Sequence, residues 1–221
     1  NISRGQALWK RAKKLIPGGT QLLSKRSEMF LPDGWPSYFS KAKGVDVWDL
    51  DGNRYIDMSL MGVGSCMLGY ADPDVNHAVK RVIDAGSMNT LNSPEEVELS
   101  EVLLKLHPWA GMARFARTGG EAMAVAVRIA RAHSGKDKVA ICGYHGWSDW
   151  YLAANLAEKK SLDGHLLPGL EPAGVPRGLR GTAFTFSYNH IEELKKLASA
   201  HPDIGAIVVE PFRHQEPKND F

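Results

Sequence analysis

The stretch Phe115–Ala132, FARTGGEAMAVAVRIARA, decides how the chain folds. A short apolar run, Met112 to Ala116, reads as a strand and stops at Thr118-Gly119-Gly120-Glu121. The apolar pattern then resumes as a helix over Gly120 to Ala132. Thr118 and Glu121 match a capping box, in which hydroxyl and carboxylate each satisfy a free backbone N–H. A capping box needs neither glycine, whereas a ligand resting against the backbone needs side chains out of the way. The helix start points its unpaired N–H groups and positive dipole end outward, a seat for phosphate. Dipole terms contribute roughly 0.3–1 kcal/mol per charge, so the N–H hydrogen bonds supply most of the grip. No Gly-Lys-Ser/Thr follows, which excludes a Walker loop, and Ala122 and Met123 deny the third glycine of a dinucleotide fingerprint. Ala122, Met123, Val125, Val127 and Ile129 make the helix apolar almost all round, which predicts a buried, rigid cradle.

Outward from this turn the rhythm is strand, helix, strand. Val139 to Cys142, Thr182 to Phe186 and Ile204 to Val209 read as buried strands, and Ile191 to Ala200 as a helix. Strands alternating with helices predict an α/β unit with a mostly parallel sheet covered on both faces. In such sheets ligands bind at the C-terminal ends of the strands, where the Thr118 turn is expected. Toward the N-terminus, a basic amphipathic helix over Asn1 to Ile16 ends at Pro17-Gly18-Gly19. VDVWDLDGNRYID, Val45 to Asp57, alternates around Asp51-Gly52 as a two-stranded hairpin. Its acids do not keep calcium-loop spacing, since Gly52 stands fourth from Asp49 and Leu60 takes the place of the bidentate glutamate. The glycine-dense segment MGVGSCMLGY follows. Asp72-Pro73 then opens a helix closed by Gly86, and Ser93-Pro94-Glu95-Glu96 opens another, with Val97, Val102, Leu103 and Leu106 expected on its buried face. Ala157 to Gly181, with Pro168, Pro172, Pro176 and five glycines, reads as a long loop, either functional or a disordered surface excursion.

The chain has 221 residues, 43% of them hydrophobic, enough for one large domain or two smaller ones. Lys plus Arg number 27 and Asp plus Glu 25, a net charge of +2 with no block of like charges, which argues against nucleic acid. Cys66 and Cys142 offer neither a disulfide framework nor metal spacing. With no apolar run long enough to span a bilayer, the expectation is a cytoplasmic protein with no metal and no membrane partner.

Two more constellations follow strands. CGYHGWSDW places Tyr144 and His145 directly after the second strand. Each reads as ordinary packing in isolation; beside a phosphate seat, Tyr144 offers an aromatic face for a flat heterocycle. Trp147 and Trp150 read as packing. Glu210, in Val209-Glu210-Pro211, is either a solvated loop acid or a residue on the same rim.

The succession LIPGG, DGNRYID, LGYADP, TGGEA, GYHGWSD and VEP resembles the first half of a class III aminotransferase, within that group most similar to glutamate-1-semialdehyde aminomutases. The resemblance covers essentially the whole chain. It implies a fold type I pyridoxal-phosphate-dependent transferase: an N-terminal subdomain over residues 1–75 and the first half of the mostly parallel-sheet large domain over 76–221. It implies pyridoxal 5'-phosphate as cofactor, with Thr118, Gly119 and Gly120 on the phosphate. Tyr144 would lie against the ring, His145 beside it, and Glu210 near the polar edge. It also implies a homodimer with a shared active site, acting on a small-molecule amino donor and a carbonyl acceptor. Such chemistry needs a Schiff-base lysine, expected beyond Phe221, so no catalytic residue is assigned within the chain and the 221 residues alone are expected to be inactive. Lys138 precedes its strand and is expected at the opposite edge. Departures from the aminomutase pattern are Thr20 to Lys25 after the first glycine pair, Tyr70 for a histidine, Arg117 for an asparagine and Gly120 for a threonine. The first of these falls where substrate is recognised, so the substrate pair stays open, as does transfer versus internal migration. Two alternatives are a non-catalytic dimerising module that binds phosphate ligands, and a nicotinamide-dependent oxidoreductase, suggested only by the α/β rhythm and a glycine turn.

Overall fold

A computed structural model describes residues 2–165, 168–211 and 215–218; Phe221, the reference point for the expected lysine, lies outside the described residues. The chain divides into two compact units, Asn1–Pro94 and Glu95–Phe221. No helix among the described residues is long and apolar enough to cross a membrane.

In the first unit, helix α1 (Arg4–Leu15) starts at Ser3, whose hydroxyl accepts the Gln6 N–H at 3.2 Å. It buries Gln6, Trp9 and Ala12, a three-residue spacing that keeps one stripe inward. Glu28 ties that stripe down, accepting from the Trp9 indole at 3.1 Å and from Lys13 at 3.0 Å. The expected hairpin forms from β2 (Asp46–Asp49) and β3 (Arg54–Ile56), but the sheet has three antiparallel strands, with β1 (Phe39–Lys43) along the far side of β2. FSKAK escapes a sequence reading because its lysines weaken the apolar alternation, as suits an edge strand guarded by charge. Asp49 is buried and accepts from the Asp51 and Asn53 N–H groups, the Asn53 amide and the Tyr55 hydroxyl at 2.8–3.0 Å. These bonds, the Asn53 amide foremost, hold its carboxyl below the usual range. The acid of this turn shapes the hairpin.

After the hairpin the Tyr70 hydroxyl donates to Asp57 at 2.6 Å, and that bond to a carboxylate pushes the phenol up to about 12. An unfolded tyrosine ionises near pH ~10. The stabilisation from Tyr70 is therefore complete below pH ~10 and is lost as pH rises through the folded value. Tyr70→Phe is expected to lower the stability of this unit by about 1–2 kcal/mol. Ultraviolet titration should show a tyrosine ionising near pH 12 that the variant lacks; six tyrosines all titrating near their ordinary value would contradict the bond. Helix α2 (Pro73–Gly86) then begins as expected, with Asp72 accepting the Asp74 and Val75 N–H groups at 3.0 Å.

The second unit is built on a parallel sheet. Strands β4 (Lys138–Cys142), β5 (Ala183–Thr185) and β6 (Ile204–Val209) run in the order β5-β4-β6. Alternation along β4 sends Val139 and Ile141 to one face and Ala140 and Cys142 to the other. The first face packs on helix α4 (Gly119–Ser134) and the short helices α5 (Asp149–Leu152) and α6 (Ala154–Ala157). The second packs on helix α7 (Ile191–Ala200) through Leu194 and Leu197. The long segment after α6 is anchored: Leu162 is fully buried, and Asn155 holds it by donating to the Leu170 carbonyl and accepting the Leu162 N–H.

Three expectations are corrected here. Met112 to Ala116 is no strand; it lies outside every helix and strand, with Met112 91% exposed, because no described strand lies alongside to take its hydrogen bonds. Helix α4 is not buried all round: Val127 is 2% exposed on the sheet side, whereas Ile129 is 60% exposed on the other. Helix α3 (Pro94–Leu106) starts at the expected proline, but Val97, Val102 and Leu106 are exposed, since no apolar face opposes them among the described residues.

Candidate functional site

Thr118 caps α4 from an extended backbone, its hydroxyl accepting the Glu121 N–H at 3.2 Å while its carbonyl accepts the Ala122 N–H. The Glu121 carboxylate reaches back to the Arg117 N–H at 2.9 Å, one residue earlier than the standard box. Both cap residues are thus engaged with the backbone. Among the described residues, no partner takes the N–H of Gly119 or Gly120. A Cβ at Gly119 would meet nothing within 4 Å. The turn therefore keeps two N–H donors without a protein partner among the described residues at the positive end of the helix dipole, with open space beside the Gly119 Cα. The Thr118 hydroxyl, already an acceptor, still has its own proton to donate.

The turn after β4 comes to the same place. Gly143 and Gly146, at φ 98° and 95°, bracket Tyr144 and His145 in left-handed backbone. A Cβ on Gly146 would stand 2.7 Å from the Gly120 Cα, so that glycine lets one turn lie directly on the other. A Cβ on Gly143 would collide with the Glu210 carboxyl group at 2.4 Å. Glu210 follows β6, extends the ladder through its N–H to the Cys142 carbonyl at 3.0 Å, and folds its side chain over Gly143. Five of the six sequence-derived residues, Thr118, Gly119, Gly120, Tyr144 and Glu210, thus line one rim at the α4 start and the C-terminal ends of β4 and β6.

Tyr144 is 37% exposed, with its ring edge-on to those of Trp147 and Tyr151 at 6.1 Å between centroids, and its partial burial pushes the phenol up. His145 sits beneath, buried, its Nε2 donating to the Cys142 carbonyl at 2.9 Å. That bond holds the turn. Trp150 is core, as expected, while Trp147 stays exposed at the rim. Lys138 lies at the opposite edge, its Nζ 2.9 Å from Asp203. Sequence reasoning passed over Gly143 and Gly146, although their spacing around Tyr144-His145 was the available signal. It also passed over His165 and Tyr151, which bond to Gly143 and carry no local signal.

An open parallel sheet with a free-donor helix start and an aromatic on its C-terminal rim is the layout in which α/β units bind phosphorylated ligands. Residues 33–215 match the family Aminotransferase class-III, and the chain belongs to that family. It is 32% identical over 215 residues to a 3-aminobutyryl-CoA aminotransferase of Cloacimonas acidaminovorans (strain Evry), covering 96% of this chain and 47% of that protein. It is 30% identical to the FumI protein of Sphingopyxis sp. MTA144, solved in its PLP internal aldimine form, with a TM-score of 0.77 over 96% of this chain and 47% of that one. A glutamate-1-semialdehyde-aminomutase from Pseudomonas aeruginosa PAO1 shares the fold at 24% identity and a TM-score of 0.69, covering 98% and 47%. The chain spans about half the length of the relatives it matches, and its fold is the N-terminal part of the fold type I transferase architecture.

Proposed function

We propose that the chain is the cofactor-seating part of a pyridoxal-phosphate-dependent aminotransferase that moves an amino group from a small amine or amino acid to a carbonyl compound. The observation that carries this reading is the pair of N–H groups at Gly119 and Gly120 that take no partner among the described residues, at a helix start on which the Tyr144 turn packs through Gly146. Gly119, Gly120 and the Thr118 hydroxyl would hold the phosphate. Tyr144 would stack on the ring, His145 would keep the Tyr144 turn in place, and Glu210 would approach the ring's polar edge. When bound, the cofactor supplies the electron sink that lets an amino group be exchanged for a carbonyl oxygen. Transfer between two molecules is favoured over internal migration because Thr20 to Lys25 departs from the aminomutase pattern and the 32% relative is an aminotransferase.

Calorimetric titration tests the seat. The 221-residue chain is expected to bind pyridoxal 5'-phosphate and to bind unphosphorylated pyridoxal at least about 100-fold more weakly, as loss of a dianion from several N–H donors requires. Equal affinity for the two would overturn the reading.

The reacting lysine is proposed to lie outside this chain, and the 221 residues alone to be inactive. Lys138, the lysine within the sheet, is held by Asp203 at the edge away from the rim. Borohydride reduction of the chain with pyridoxal 5'-phosphate is expected to leave no single stoichiometrically labelled lysine on peptide mapping. One lysine labelled to completion would contradict this. A homodimer is proposed for the working protein, supported by the exposed Met58, Leu60, Val63, Met67 and Leu68 of the first unit.

A further inference from the structure

Two side chains outside every motif converge on one peptide. His165, in the proline- and glycine-rich segment after α6, is 8% exposed, and its Nδ1 accepts the Gly143 N–H at 3.1 Å. Tyr151, in α5 and fully buried, donates its hydroxyl to the Gly143 carbonyl at 3.0 Å. Both polar groups of one residue are thus taken by side chains, whereas its neighbour Cys142 still follows the sheet, accepting the Glu210 N–H. Gly143 is the one position before Tyr144 where the backbone could swing freely, being a glycine in left-handed conformation. Holding its N–H and its C=O from two separate elements removes that freedom and fixes the direction in which Tyr144 leaves the sheet. Tyr151 also meets the Tyr144 ring edge-on at 6.1 Å, so the clamp and the ring it aims are in contact.

We infer that His165 and Tyr151 are positioning residues for Tyr144: they lock Gly143 and so set the plane of the aromatic face that receives the cofactor ring. The inference rests on the stacking role given to Tyr144 above. The His165 nitrogen facing Gly143 accepts a hydrogen bond, so it carries no proton and the ring holds its proton on Nε2. Asparagine, whose side-chain oxygen reaches a similar place, preserves the acceptor; phenylalanine fills the space without one.

The test titrates the intact chain with pyridoxine 5'-phosphate, which has no aldehyde to react with lysine, and with inorganic phosphate, while Gly143 amide exchange is followed by NMR. His165→Phe and Tyr151→Phe are expected to weaken pyridoxine 5'-phosphate about tenfold, to leave inorganic phosphate within about twofold, and to speed Gly143 exchange about tenfold or more, the scale of one lost buried hydrogen bond. His165→Asn is expected to restore all three readouts. Should His165→Phe not fold, Tyr151→Phe, which removes a single oxygen, decides. Equal loss of both ligands, or no loss while Tyr144→Ala does weaken pyridoxine 5'-phosphate, overturns the positioning role. If Tyr144→Ala itself changes nothing, the stacking reading fails, and the clamp fails with it as a cofactor device.

Discussion

Gly119→Leu is expected to abolish measurable pyridoxal phosphate binding without lowering the stability of the fold. A Cβ at this position meets no atom of the protein within 4 Å, and the residue is the first of α4, so a side chain can leave the backbone here without a clash at its first carbon. Leucine is a better helix former than glycine by roughly 0.5–1 kcal/mol in a helix interior, and any stability change is expected to be small and favourable. The same side chain stands where a phosphate would meet the N–H groups of Gly119 and Gly120. A hydrogen bond to a charged group contributes about 1.5–3 kcal/mol, so blocking two costs at least ~3 kcal/mol, more than 100-fold in affinity. Gly119→Ala should fall between. Calorimetry with denaturant unfolding on each variant checks both halves, and full affinity in the leucine variant would mean that the ligand does not use this turn.

Gly146→Ala is expected to be among the most damaging single-methyl changes in the second unit. Left-handed backbone costs an L-residue roughly 1–2 kcal/mol. The added carbon would also stand 2.7 Å from the Gly120 Cα, where backbone on both sides leaves nothing flexible to yield. The expected loss of stability is more than ~2 kcal/mol by denaturant unfolding, together with weaker cofactor binding, because relief of the clash pushes the Tyr144 turn off the phosphate seat. Gly164→Ala, in a neighbouring segment with open space and no left-handed strain, is the control and should change stability by less than ~0.5 kcal/mol. If the two variants unfold alike, the two turns do not touch as described.

The parts of the fold legible in the sequence were those with a local cause. Thr118 and Glu121 announced the start of α4, Asp72-Pro73 that of α2, and the apolar runs at Val139 to Cys142 and Ile204 to Val209 marked β4 and β6. Met112 to Ala116 has the composition of a strand, yet strand character is realised only in a ladder, and no partner runs beside it among the described residues. The apolar faces of α3 and α4 misled for the same reason: hydrophobicity shows what a helix is built to bury, and Val97 or Ile129 stay exposed until something opposes them. Strand β1 was hidden by Lys41 and Lys43.

For the site, each turn was readable separately, but their contact was not. The approach of Gly146 to Gly120 joins residues 26 positions apart, and the bond from Gly143 to His165 spans 22. Such distances carry no periodicity. Only the glycines themselves hinted that two backbones would meet.

Amide NMR of the intact chain titrated with pyridoxine 5'-phosphate shows whether the Gly119 and Gly120 amides grip the phosphate. These two N–H signals are expected to move furthest, in the downfield direction of a hydrogen bond to a dianion, with Tyr144 ring signals shifting alongside. Saturable shifts centred on other amides, with Gly119 and Gly120 unmoved, would contradict it.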